Sequence, residues 1–340
     1  MATLSDVAAR AGVSVSAVSR VLSKSPSSRV SDATRRRIED AARELDYRPN
    51  FAARALKLSR TNVIALVVPD VTNAIFSELM RGIDERAQEL GYMVLLARAE
   101  SMQHQAESLA HLVGQSKVDG VIVQLGDSMT TAYLTALVQS QIPALVVNSR
   151  RLGGVGSVTL PDEAGAAAAV QHLASLGHRR IGLVGGLAST DSAQRRATGF
   201  AGAMADAGLP VPAEYLTGFG YESAQGRAAL SQLATLVEPP SAIVVANINA
   251  AFGVLLEAHA HGIRVPEDLS IVALHDAWTA DNTWPPLTTV RMPLYELGKA
   301  SMAAMFERIH SGVITDVVIT DPAPELVLRE STSVYRRVFN

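Results

Sequence analysis

The chain of 340 residues contains no cysteine, which excludes a disulfide framework, a thiolate-held metal or iron–sulfur site, and a thiol nucleophile. It also lacks any apolar run near the ~18 residues that a membrane-spanning helix needs. The longest strong run, Val63–Val68, stops at Pro69. The opening residues, MATLSDVAARAGVS, have neither the basic nor the continuous apolar stretch of an export signal, so an intracellular protein is expected. Familiar catalytic patterns are missing as well: there is no G-x-S-x-G, no H-E-x-x-H and no lysine-bearing phosphate loop. Gly153-Gly154-Val155-Gly156 only resembles a dinucleotide loop, because the pattern is incomplete and joins two strands. His259 and His261 are two apart and do not share a helix face, so they read as a solvated helix end. No metal, cofactor or catalytic constellation is expected.

What is present is globular in character, with 48% hydrophobic and 19% charged residues. At ~150 residues per domain, two or three domains are expected. The net charge of −3 hides an asymmetry. Residues 1–60 carry 12 Lys/Arg against 6 Asp/Glu, leaving 18 bases and 27 acids for the rest. A basic head on an acidic body fits a nucleic-acid-binding module joined to a regulatory part; the bland alternative is a basic surface of no consequence.

Within the head, Thr3 and Asp6 have the spacing of a capping box. Leu4, Val7, Ala8 and Ala11 then follow the spacing of one buried helix face, which Gly12 ends. Ser14 caps a second helix whose Val18, Val21 and Leu22 face inward, leaving Ser16, Ala17, Ser19 and Arg20 on the other side. Two short helices joined by a tight glycine-containing turn make a helix-turn-helix pattern. A third helix from Ser31 buries Ile38, Ala41, Ala42 and Leu45, and Pro49 is placed to open another short helix through Leu56.

From residue 62 apolar strands alternate with amphipathic helices. Strands are expected at Val63–Val68, Tyr92–Ala97, Val118–Val123, Ala144–Asn148, Ser157–Leu160, Ile181–Val184, Ala242–Ala246 and Ser270–Leu274. Helices are expected at Ile75–Leu90, Glu163–Leu176, Arg195–Ala207, Ala224–Leu236 and Ala250–His261. The register predicts an α/β fold with two parallel sheets covered by helices, whose ligands sit at the carboxyl ends of the strands.

Several strings together resemble the lactose-repressor (LacI/GalR) family of bacterial transcription regulators over essentially the whole chain: TLSDVAARAGVSVSAVSRVL, RVSDATRRRI, ELDYRPNFAARAL, LGHRRIGLVGG, VPEDLSIVALHD and PPLTTVRMPLYELG. The resemblance implies an all-α helix-turn-helix head at 1–47 and a hinge helix with linker at 48–61. It further implies a two-lobed core like a periplasmic sugar-binding protein, with an N-lobe of 62–159 and 289–320 and a C-lobe of 160–288 and 321–340. The function implied is a ligand-responsive repressor, not an enzyme, acting on operator DNA in the cytoplasm at the nucleoid. The alternatives are a soluble binding protein that ignores DNA and an α/β sugar-modifying enzyme. No heptad-bearing tail follows Tyr335, so a homodimer is expected.

By that resemblance the second helix enters the major groove, where Val15, Ser16 and Arg20 read bases beside Ala17. Arg20 can fork onto a guanine, whereas Val15 either meets a thymine methyl or packs beneath the first helix. Thr3, Ser14, Ser19 and Arg29 are placed at phosphates. The hinge contributes Asn50, Arg54 and Leu56; Leu56 either wedges into a minor-groove step or is an ordinary surface or dimer residue. The effector, a sugar, sugar acid or sugar phosphate, is assigned to Ile75, Phe76, Asn148, Arg196, Tyr221, Asn247 and His275. Asn148 and His275 stand where the family usually has aspartate, so a pocket poor in acids is expected around Arg196 and His275, and an acidic ligand suits it. Alternatively His275 bonds Asp276 or the backbone.

Overall fold

The structure, a computed structural model, describes residues 2–22, 30–47, 60–71, 73–98, 118–125, 138–139, 142–149 and 153–335. Arg29, Asn50, Arg54 and Leu56, with the expected hinge helix, lie outside the described residues. The chain divides into two units, Met1–Thr61 and Asn62–Asn340.

Three helices form the first unit: α1 (Leu4–Ala11), α2 (Val15–Leu22) and α3 (Asp32–Glu44). Thr3 Oγ1 accepts the Asp6 N–H at 3.3 Å while Asp6 accepts the Thr3 N–H at 2.8 Å, completing the capping box. Gly12 ends α1 at φ 64°, a left-handed conformation that a side chain would strain. Two residues later Ser14 Oγ accepts the Ala17 N–H at 3.3 Å and starts α2. The three helices bury Val7, Ala8 and Ala11 against Val18 and Val21, and both against Ile38, Ala41 and Ala42. This core uses one stripe of each helix, which leaves the outer face of α2 out of the packing.

The second unit holds two six-stranded sheets. Its elements run β1 (Val63–Val68), α4 (Phe76–Glu89), β2 (Met93–Arg98), β3 (Gly120–Gln124), β4 (Ala144–Val147), β5 (Gly156–Thr159), α5 (Asp162–Ser175), β6 (Ile181–Val184), α6 (Asp191–Asp206), β7 (Leu216–Thr217) and α7 (Ser223–Ala234). Then follow β8 (Ala242–Val245), α8 (Ile248–Ala260), β9 (Ser270–Leu274), β10 (Thr288–Arg291), α9 (Leu294–Ser311), β11 (Asp316–Val318) and β12 (Glu325–Val327). The first sheet has the order β11-β5-β4-β3-β1-β2, and the second β12-β10-β9-β8-β6-β7. The chain therefore passes between the sheets three times: after β5, after β10 and after β11.

All pairings in the first sheet are parallel, as the alternating register predicts. The second departs from that expectation at its edge, where β12 runs antiparallel to β10. Three residues of half-exposed strand reached by a short return from β11 need no crossover helix, so nothing enforces the parallel direction there. Alternation along β1 explains the layers. Ile64, Leu66 and Val68 join a core with Leu79 and Ile83 of α4 and Met302 and Met305 of α9. Val63, Ala65 and Val67 face the other way, among Val121, Val123 and Val146. The helix expected from Arg195 starts four residues earlier, at Asp191, because Thr190 is extended and Asp191 supplies the acid favoured in a first turn. Among the described residues no helix is long and apolar enough to cross a membrane.

Candidate functional site

In the first unit the outer face of α2 is open. Val15 is 43% exposed, so it is not packed beneath α1, and Ser16 and Arg20 are exposed beside it. Ala17 and Ser19 are half-buried on the flanks. The Arg20 Nε–H reaches back to the Ser16 carbonyl at 3.2 Å, which lays the guanidinium along the first turn. Ser14 and Ser16 hydroxyls lie 3.0 Å apart. Thr3 is exposed, but its hydroxyl is engaged by Asp6 at 2.8 Å, so it meets any further partner as a capping group.

In the second unit the polar centre gathers at the carboxyl ends of β4, β8 and β9. Arg196, only 4% exposed, donates from Nε to Asp162 Oδ1, from Nη1 to the Ala246 carbonyl and from Nη2 to His275 Nε2, each at 2.8 Å. The Tyr221 ring lies 5.6 Å from its guanidinium carbon and is held through its hydroxyl by Thr190 and Ser192, at 3.1 Å each. Gly186 makes room for that ring, since a Cβ there would run into it. Gly199 does the same for the helices: its bare Cα lets α6 lie on the backbone of α5 at Glu163, bringing Arg196 onto Asp162.

Arg195 works alongside. Its Nη2 donates to Asp162 Oδ2 at 2.6 Å and to Asn148 Oδ1 at 2.9 Å, and its Nη1 pairs with Asp191. Asn148 also accepts the Leu160 N–H at 3.1 Å, so one amide oxygen binds the end of β4 to the crossover segment and to α6. Asn148 and His275 each follow a central strand and each take a left-handed backbone, φ 48° and 65°. Both belong to the few residue types that visit that region, and such strain concentrates at functional positions.

Of the expected effector residues, Arg196 meets Tyr221 and His275 directly, and Asn148 joins them through Arg195 and Asp162. Asn247 joins through its neighbour Ala246, while its own Oδ1 caps α8 by accepting the Ala250 N–H at 2.8 Å. Ile75 and Phe76 are buried in the apolar core at the start of α4, and among the described residues no hydrogen bond joins their side chains to the cluster. The expectation of an acid-poor centre fails. Asp162 is fully buried between two arginines, and with Asp191 it balances both. No local pattern marks Asp162; the available signal is physical, since a buried guanidinium requires a buried carboxylate somewhere.

Charge states follow from this packing. Burial opposes the charge of Arg196, but Asp162 and Tyr221 outweigh it and raise its pKa. Burial, then the Arg196 charge, pushes the His275 imidazole down to about 3 against the pull of Asp162. His275 is therefore neutral at pH 7, not a cation, and its partner is Arg196 and not Asp276. Asp276 is occupied by Thr289, Arg291 and Arg329.

Comparison with known proteins agrees with this layout. The profile for bacterial regulatory proteins of the lacI family matches residues 3–50, and that for the periplasmic binding protein-like domain matches residues 170–332. The HTH-type transcriptional regulator DegA of Bacillus subtilis (strain 168) is 35% identical over 338 residues, covering 97% of this chain and 98% of that one. Among solved structures, the transcriptional regulator CelR–cellobiose complex is 28% identical, with a TM-score of 0.72 over 97% of this chain and all 100% of that one. The lac repressor dimer bound to operator and the anti-inducer ONPF is 26% identical, with a TM-score of 0.79 over 98% of this chain and 99% of that one.

Proposed function

The chain belongs to the lacI family of bacterial regulatory proteins, DNA-binding transcription regulators and not enzymes, and from that premise we propose that it is a repressor whose hold on operator DNA is set by a sugar or sugar-derived molecule bound between its two sheets. The core then divides into lobes of 62–159 with 292–320 and 160–291 with 321–340; the expected boundary at 288/289 is moved because β10, Thr288–Arg291, pairs within the second sheet. Val15, Ser16 and Arg20 read bases, beside Ala17. Thr3, Ser14, Ser19 and Arg29 hold phosphates, and Asn50, Arg54 and Leu56 act from the hinge in a homodimer. Asn148, Arg196, Tyr221, Asn247 and His275 take the effector, with Ile75 and Phe76 supplying apolar surface. A sugar is favoured by kinship with the CelR–cellobiose complex. A negative charge on the ligand is not required, because the carboxylates match the arginines.

One observation carries the reading. Arg195, from the second sheet's side, donates to both Asp162 and Asn148, and Asn148 directly follows β4 of the first sheet. Groups that meet the ligand thus also join the lobes, which is what an effector needs in order to favour one lobe arrangement. Selection of bound sequences from a random duplex pool, followed by calorimetry with sugars, tests it. The expected result is a near-palindromic site with half-sites about one helical turn apart. A ligand that binds the parent but not Arg196→Lys should also change affinity for that site. A protein that selects no sequence, or a ligand indifferent to Arg196→Lys, would overturn the proposal.

A further inference from the structure

Two buried side-chain nitrogens in the Arg196 cluster, His275 Nδ1 and Arg195 Nε, have no hydrogen-bond partner. Both are donors. A guanidinium can only donate, so His275 Nε2, 2.8 Å from Arg196 Nη2, must be the acceptor of that bond. The ring proton is then on Nδ1. His275 is 3% exposed, and Asp276 next to it is taken up by Thr289, Arg291 and Arg329, so among the described residues no carboxylate turns to that proton.

The acceptors nearby are engaged. Asp162 Oδ1 and Oδ2 take Arg196 and Arg195, Asn148 Oδ1 takes Arg195 and the Leu160 N–H, the Ala246 carbonyl takes Arg196, and Asn247 Oδ1 takes the Ala250 N–H. Asp191 Oδ2 makes an ion pair with Arg195 Nη1. Each of these acceptors thus already faces at least one donor, Asp191 Oδ2 only through its ion pair, while the two nitrogens face no acceptor among the described residues. A hydroxyl brings one proton along with its two lone pairs, and that proton would have to share an acceptor that already holds a donor. A carbonyl-type oxygen brings lone pairs alone.

We infer that the effector is an oxidised sugar derivative, a lactone, aldonate or uronate, whose carbonyl or carboxylate oxygen accepts the His275 Nδ1–H, and that His275 sets this specificity. The inference rests on the proposed effector site and narrows what that site takes. A buried donor left unmet by the wrong ligand is a penalty that discriminates more sharply than a missing apolar contact.

The test uses the full chain and matched series: D-glucose, D-galactose and D-ribose, each with its lactone, its aldonate and, for the hexoses, its uronate. Calorimetry should find an oxidised member that binds at least about tenfold tighter than its parent sugar, the worth of one such hydrogen bond. The lactone and acid arms separate a carbonyl preference from a charge preference. His275→Gln keeps a donor and an acceptor and should keep the ranking; His275→Asp replaces the donor with an acceptor and should reverse it. Nitrogen-15 NMR at pH 7 should show His275 protonated on Nδ1. An Nε2-protonated or cationic ring, a parent sugar that binds as well as its oxidised forms, no oxidised member that binds, or a ranking unmoved by His275→Asp would each overturn the inference. Arg196→Lys separates the two levels. A parent sugar that binds and is lost in Arg196→Lys leaves the effector site standing and removes only the acceptor rule, whereas binding undiminished in that variant removes the site.

Discussion

Val15, Ser16 and Arg20 stand on the outside of a short helix whose inner stripe does the packing, and their neighbours are within one turn of chain. Asn148, Asp162, Arg195, Arg196 and His275 sit in the other unit inside a cluster whose bonds span 33 to 79 residues of sequence. On the helix, the packing stripe and the residues proposed for recognition lie on different faces, so a residue can change its partner without unsettling the core. In the cluster the side chains that hold the fold are also the ones proposed to meet the ligand. The head is therefore expected to tolerate change at its recognition residues, and the core is expected to lose stability and ligand together.

The largest expected effect is at Asp162. Asp162→Ala removes the one carboxylate that both arginines share and leaves Arg196 buried without its partner. Loss of about 3–5 kcal/mol of stability is expected for one half of a buried pair. Denaturant titration should show the core's transition moving to lower denaturant while the helical head keeps its own. A core as stable as the parent would mean that water already compensates the pair, and the contrast with the head would weaken.

At the DNA face, Arg20→Ala should cost about 1–3 kcal/mol on the selected sequence, with preference relaxed at one guanine per half-site. The melting temperature should not move. Equal losses on selected and random duplexes would show that Arg20 touches only phosphates.

Acid should separate the two units as well. Residues 1–60 contain no histidine; all 8 lie in the second unit. His275 is depressed to about 3 in the folded state, so the folded form binds fewer protons than the unfolded form across the range between that value and the ordinary 6.5. Stability is therefore full above pH 6.5 and falls as pH drops below it, by about 1.4 kcal/mol between pH 7.5 and 5.5 from this residue alone. Burial lowers His172 and His178 too, which adds to the slope in the same direction. His275→Gln should flatten that part of the slope. An unchanged slope would mean that the imidazole is not buried neutral.

These differences also explain what the sequence made legible. The Thr3–Asp6 box, the Gly12 stop and the apolar strand Val63–Val68 are decided by residues a few positions apart, and each is formed as the local pattern predicts. Family resemblance led to Arg196 and His275. Nothing within a few residues of Asp162 announces that two arginines from α6, 33 and 34 residues later, will close on it. Without Asp162 the residues around Arg196 read as poor in acid, and the carboxylate that matches them is out of sight. The short edge strands β7, β11 and β12 escaped for a related reason: two or three half-polar residues carry no periodicity, and their pairing is set by the sheet they reach.

The smallest expected effect makes the comparison cleanest, because geometry is held nearly constant. Arg10 of α1 meets Glu44 of α3 at 2.6 Å, and Arg196 meets Asp162 at 2.8 Å. By distance alone the head's pair should matter more. Its side chains, however, are 59% and 54% exposed, whereas those of the core pair are 5% and 0%. Water screens the first pair and solvates either partner when the other is gone, so Glu44→Gln should cost below about 1 kcal/mol and less still in high salt. The same removal of charge at Asp162 leaves a guanidinium that water does not reach. Chemical denaturation of Glu44→Gln and Asp162→Asn, each in low and high salt, should show a small salt-sensitive loss for the first and a large salt-insensitive loss for the second. Comparable losses would show that distance, not burial, sets the worth of these pairs, and the division between an adaptable head and a committed core would not hold.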